Sequence, residues 1–318
     1  MREPLFVKQN SAKWKNFETQ VSNDPDELAD RFIQITDDLA FAKTFYPNSK
    51  TTAYLNGLAA GLHQSIYKNK KEKSNRFISF WKHELPMLFY TYRSQLLYAF
   101  LFFFVFCLMG ALSAKYDESF VRLILGDAYV DMTEANIAKN DPFAVYKQQS
   151  EFLMFAFIGI NNIYVALKAF VAGIFVSVGT VYALFYNGLM LGSFQYFFFS
   201  KNLGLASVLV VWIHGTLEIS SIIIAGAAGL VLGNSILFPK TFTRMESLKR
   251  GARHGMQIVI GLVPIFIVAA FFEGFITRHT EMPVWLSASI LGLSLTFIIW
   301  YVIIYPNKLH KKLKPQIT

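Results

Sequence analysis

The chain predicts an all-α fold: a polytopic membrane helix bundle of about six spans, with an N-terminal cytoplasmic helical region and an interfacial amphipathic helix. Three observations carry this. The 318 residues are 54% hydrophobic and only 16% charged, with a mean hydropathy of +0.37. The apolar residues fall in runs of about 20 or more, the length at which a helix crosses a bilayer. Lys and Arg cluster beside those runs, where they set topology. The net charge of +9 is therefore read as a membrane signature, and no nucleic-acid partner is expected.

Residues 1–73 read as a cytoplasmic helical hairpin. Asn23-Asp24-Pro25-Asp26-Glu27 combines a capping side chain, a proline in the first turn and acids at the positive dipole end. Leu28, Phe32, Ile35 and Leu39 follow as an apolar stripe,. Pro47-Asn48-Ser49 stops that helix. A second helix runs from about Thr51 to Tyr67, with Tyr54, Leu58, Leu62 and Ile66 on one face. After the basic run Lys68 to Lys73, residues 74–93 mix aromatics and charges around Phe77 to Pro86. That pattern suits an amphipathic helix at the membrane surface. The region before the first span is polar and mixed, so that span is expected to serve as an uncleaved signal.

The transmembrane domain is placed at 94–306. Its spans are 95–114, two within 152–200, then 205–233, about 255–277 with a Pro264 kink, and about 284–305. A tight turn near Tyr186-Asn187-Gly188 is expected between the second and third, and 152–160 is read as either spanning or interfacial. The 115–151 loop carries seven acids and four bases. Residues 68–94, the 234–253 loop and the 307–318 tail, with Lys308, Lys311, Lys312 and Lys314, are basic. The positive-inside rule then puts both termini in the cytoplasm and 115–151 outside. The single cysteine, Cys107, is a packing residue in an apolar run.

Ionisable residues at membrane depth are costly and usually have a task. His214 and Glu218 lie one turn apart on one helix face. They are read as a buried polar clamp, as part of an ion or proton route, or as two ligands of a metal with no third ligand evident. Lys168 is expected to reach Glu218 as a buried pair. Asn161 and Asn162 are assigned to the same polar cluster, or to a helix start at the outer surface. Glu273 is expected to form an interfacial ion pair with Arg278 or His279. Small residues recur at helical spacing, Ala169-Gly173-Ser177, Ala225-Gly229-Gly233 and Gly188-Gly192, with Gly215 and Gly226 added to the same packing set. They serve packing within the chain or a self-association surface. No phosphate-binding glycine loop, His-Glu-x-x-His motif or Gly-x-Ser-x-Gly elbow is present,, so no enzyme, cofactor or metal is assigned.

His214-Gly215-Thr216-Leu217-Glu218 followed by Ala225-Gly226-Ala227-Ala228-Gly229-Leu230 resembles the stage II sporulation protein M family of integral membrane proteins. Asn161-Asn162, the Gly173 region, Asn187-Gly188 and Leu191-Gly192 agree in order, as do Leu39 to Lys43, Tyr54-Leu55-Asn56 and the Pro86 stretch. The resemblance implies a non-enzymatic scaffold of the bacterial inner membrane that organises an envelope complex, contacting the lipid bilayer, further copies of itself and other envelope membrane proteins. It supplies no catalytic residues. The alternative is a transporter or channel using the Lys168, His214 and Glu218 side chains.

Overall fold

The computed structural model describes residues 2–19, 25–67, 76–147, 150–279 and 282–313. Every regular element among them is helical. The chain divides into two compact units, Met1–Arg76 and Phe77–Thr318.

The first unit has three helices, α1 (Glu3–Thr19), α2 (Pro25–Phe45) and α3 (Lys50–Tyr67). The expected hairpin is α2 and α3, and α1 completes the core, with Phe6 and Trp14 buried against Ile35, Leu39, Ala42, Leu55, Ala59 and Leu62. Asp38 holds α1 in place: it accepts a bond from Trp14 Nε1 at 2.7 Å and pairs with Lys13 at 2.6 Å. Pro25 opens α2, while the capping residues Asn23 and Asp24 and the Lys68 to Lys73 run lie outside the described residues. Ser49 caps α3 by accepting from Thr52 N at 3.1 Å. The core face of α3 keeps Leu62 and the partly buried Leu58 of the expected stripe. Leu55 is buried in place of Tyr54, which is exposed and donates its hydroxyl to Glu18 on α1.

In the second unit, α4 (Arg76–Ser79) and α5 (Leu85–Thr91) are joined by a π-helical stretch, Phe80–Glu84. This is the expected amphipathic helix, but protein takes up much of its apolar face. Leu85 and Phe89 are buried with Phe266 and Tyr301. Trp81 Nε1 donates to Gly261 O, and the Tyr301 hydroxyl donates to Trp81 O at 2.7 Å.

The first span is α6 (Arg93–Tyr116). The following polar segment is folded: α7 (Glu118–Leu125), α8 (Asp127–Ala138) and a 3-10 turn, Ala144–Lys147, bury Val121, Val130 and Phe143 against Phe197 and Phe198. Arg122 ties the segment together by pairing with Asp131 at 2.6 Å, and Lys201 pairs with Glu134 at 2.7 Å. The remaining long helices are α9 (Glu151–Val171), α10 (Val178–Ser200), α11 (Gly204–Leu237), α12 (Arg244–Phe271), which runs through Pro264 into a π-helical turn Phe272–Thr277, and α13 (Val284–Ile299), which continues through Trp300–Ile304 into α14 (Tyr305–Leu313). Five of these helical runs are long and apolar enough to cross a membrane. The sixth helix of membrane length, α10, has 23 residues and no charged side chain, and it packs along α6.

For 152–200 the structure agrees with the spanning reading of 152–160 and corrects both the helix start at Asn161-Asn162 and the place of the turn. The 152–160 stretch is the first half of one continuous helix, α9, so Asn161 and Asn162 sit mid-helix and start nothing. The turn lies at 172–177, where Val176 and Ser177 adopt positive φ. Asn187 and Gly188 are inside α10. Asn187 satisfies its amide on its own helix at Ala183 O, and Gly188 is the point where α10 approaches Phe103 and Phe106 of α6.

Helix approach in the bundle is set by small residues. Gly173 meets the backbone of Gly229, and Gly233 meets Ser177. The two stripes read from the sequence therefore face each other. Gly188 and Gly192 of α10 pack against α6, and Gly226 meets Leu184. Thr180 Oγ1 donates to Ala169 O at 2.7 Å across the same seam. Gly215 alone among the assigned glycines packs against nothing: no atom lies within 4 Å of where its Cβ would be.

Candidate functional site

Above the glycine seam, toward the 117–150 segment, α9, α10, α11 and the end of α12 separate around a cavity of about 600 Å³. Its polar wall is formed by Asn161, Asn162, His214, Glu218 and Glu273, with Tyr129 and Tyr146 at the roof. Gly215 borders the same space, which is why it has no packing partner.

Each polar side chain is placed by its helix. His214 and Glu218 are one turn apart on α11, so both face the cavity. The π-helical turn at the end of α12 presents Glu273 and Thr277 to His214. π-helical turns inside α-helices are frequent at functional sites. His214 is 4% exposed. Its Nδ1 is hydrogen-bonded to Thr277 Oγ1 at 3.0 Å, and its Nε2 lies 3.6 Å from Glu273 Oε2, too far for a good hydrogen bond. The ligand atoms of His214, Glu218 and Glu273 all lie within 4.8 Å of one another. The Asn162 amide lies beside the Glu218 carboxylate, yet Asn162 is 3% exposed and its Nδ2 has no hydrogen-bond partner. From the roof, the Tyr146 ring packs edge-on over His214 at 5.9 Å. Burial, then the charges of Glu273, Tyr129 and Glu218, push the Tyr146 phenol well above its ordinary range, so it remains a donor.

The structure places Asn161, Asn162, His214 and Glu218 along one cavity and Lys168 outside it. The Lys168 ammonium sits over the Tyr164 ring at 4.4 Å on its own helix, and the expected Lys168–Glu218 pair is not formed. The partner that sequence reasoning misassigned is Glu273. Arg278 pairs with Glu151 at 3.3 Å, and Glu273 turns inward to His214. Glu273 lies five residues before Arg278 and so reads as interfacial, but the depth of a residue near a span end depends on how the next segment folds over it.

A model of the stage II sporulation protein M family matches residues 99–278, more than half of the chain. The chain belongs to the stage II sporulation protein M family. The match runs from within α6 to just past the π-helical turn after α12 and so contains every residue that lines the cavity. In this family member the first unit matches separately, over residues 4–68, a domain of unknown function (DUF8413). Neither the curated proteins nor the solved structures include a match to this stage II sporulation protein M relative. It is a multi-pass membrane protein by its family and its apolar helices together.

Proposed function

We propose that this chain is a non-enzymatic assembly protein of a bacterial inner membrane, with both termini in the cytoplasm, that organises an envelope complex. The observation that carries this reading is the closure of the bundle beneath the cavity. From Ala169 and Gly173 through Gly229 and Gly233, the backbones of α9 and α11 and the turn before α10 are in direct contact. Phe170 fills the space against Gly255 of α12. A polar route across the membrane needs water access on both sides, and the packed seam supports a cavity served from one side only. With Lys168 turned away, the transport alternative loses one of its three side chains. The small-residue stripes are consumed inside the chain, so association with further copies or with other membrane proteins falls to the exposed aromatic and aliphatic faces, such as Phe100, Phe104 and Leu108 of α6. Such faces serve lipid or partner helices.

The test is the mass of the full-length protein in nanodiscs, with whatever copurifies at native expression, paired with solute and ion flux in liposomes. A defined oligomer or hetero-complex without flux supports assembly. A monomer that conducts overturns it. Orientation is checked with single cysteines in a Cys107→Ser background: Asp131→Cys is expected to label from outside and Arg250→Cys only after permeabilisation.

A further inference from the structure

We propose that His214, Glu218 and Glu273 bind one divalent cation of the zinc type, with its open coordination position facing the cavity. Four features of the site point to a cation. First, one imidazole and two carboxylates converge, a ligand set that suits zinc-class ions. Their summed charge is matched by a dication. Second, the 3.6 Å between His214 Nε2 and Glu273 Oε2 is long for a hydrogen bond. It is the spacing of two ligands that share an ion at about 2.1 Å with a tetrahedral angle between them. With all three ligand atoms inside 4.8 Å, side-chain adjustments of about an ångström close the set.

Third, the second layer is already built. A metal-bound histidine almost always donates its other ring N–H to an oxygen, which fixes tautomer and orientation. Thr277 Oγ1 at 3.0 Å from His214 Nδ1 is that oxygen, and it leaves Nε2 as the free lone pair on the Glu273 side. Fourth, Asn162 is nine-tenths buried and borders the same cavity, and its Nδ2 lies beside the Glu218 carboxylate without closing a hydrogen bond of good geometry. An ion-bound water or hydroxide in the open position would accept from it. The cavity leaves room for such a ligand beside Gly215, and Tyr146 stands over it as a second donor.

The site is independent of assembly, so its test separates from the oligomer measurement. Full-length protein in nanodiscs is stripped with chelator, then titrated with Zn²⁺ in competition with a chromophoric chelator, and in parallel with Co²⁺. One Zn²⁺ per chain is expected, with Co²⁺ giving the visible bands of a four- or five-coordinate site. His214→Ala and Glu273→Gln are expected to weaken uptake at least 100-fold, and Thr277→Val by about 10- to 100-fold. Lys168→Met should bind as wild type. Folded wild-type protein that takes up no Zn²⁺ overturns the proposal whatever the variants do. So does uptake that His214→Ala and Glu273→Gln, both still folded, leave unchanged, since the ion then sits elsewhere.

Discussion

Gly229 and Gly215 lie on the same helix and carry the same side chain, and the structure assigns them opposite consequences on substitution. A Cβ at Gly229 would sit 2.5 Å from Ala169 O and closer still to Thr180 Oγ1. Both neighbours resist: one is backbone, and the other is a fully buried hydroxyl that donates to Ala169 O at 2.7 Å. Overpacking a tight site costs about 1–3 kcal/mol. Displacing Thr180 enough to orphan its hydroxyl costs about 1–3 kcal/mol more. The gain in helix propensity from Gly to Ala offsets at most about 1 kcal/mol. Gly229→Ala is therefore expected to destabilise the bundle by about 1–5 kcal/mol. Gly215→Ala meets no atom within 4 Å and keeps only the propensity gain, so it is expected to be neutral or stabilising by up to about 1 kcal/mol. The assay is reversible unfolding of the detergent-solubilised protein in mixed micelles, with both variants compared to wild type. Equal destabilisation by the two substitutions, or a larger loss at Gly215, would refute both the packed seam and the cavity beside Gly215.

Three further outcomes follow from the same contacts. Lys168→Ala and Glu218→Ala should be additive in stability within about 0.5 kcal/mol, because the two side chains share no partner; a double-mutant cycle with a larger coupling would restore the Lys168–Glu218 pair. Tyr301→Phe removes the hydroxyl that holds Trp81 O and should cost about 0.5–1.5 kcal/mol, with faster hydrogen exchange over residues 76–91; unchanged exchange there would count against the docking of α4 and α5. Trp14→Phe keeps the ring in the first unit's core but loses the bond to the Asp38 carboxylate. It should cost about 1.5–3 kcal/mol and speed limited proteolysis within α2 and α3, whereas wild-type protease resistance would show that α1 contributes little.

Most spans were legible because a bilayer imposes its own period: a run of about 20 apolar residues is a helix whatever its neighbours do. The α2 stripe was legible for a similar reason, since Ile35 and Leu39 recur at the helical spacing. His214 and Glu218 could be paired from spacing alone, as they share one helix. Inferences that depend on which helix stands beside which are less secure, and two of them fail. The turn between α9 and α10 was misplaced because Asn187 and Gly188 look like turn residues to a local rule. In the folded chain a neighbouring α6 backbone makes use of Gly188, and Asn187 closes its bond on its own helix. Depth alone pairs Lys168 with Glu218, whereas its azimuth on α9 places it over Tyr164.

The sequence by itself determined the class of the protein: helical, polytopic, with small-residue faces and one buried His–Glu pair. Only the tertiary structure decided that the small-residue faces seal against each other, that Gly215 borders empty space, and that Glu273 completes the cluster from a helix more than fifty residues away. Helical periodicity is a one-dimensional signal carried by each segment. The azimuth of one helix against another is set by side-chain packing across the seam, and no single segment contains it.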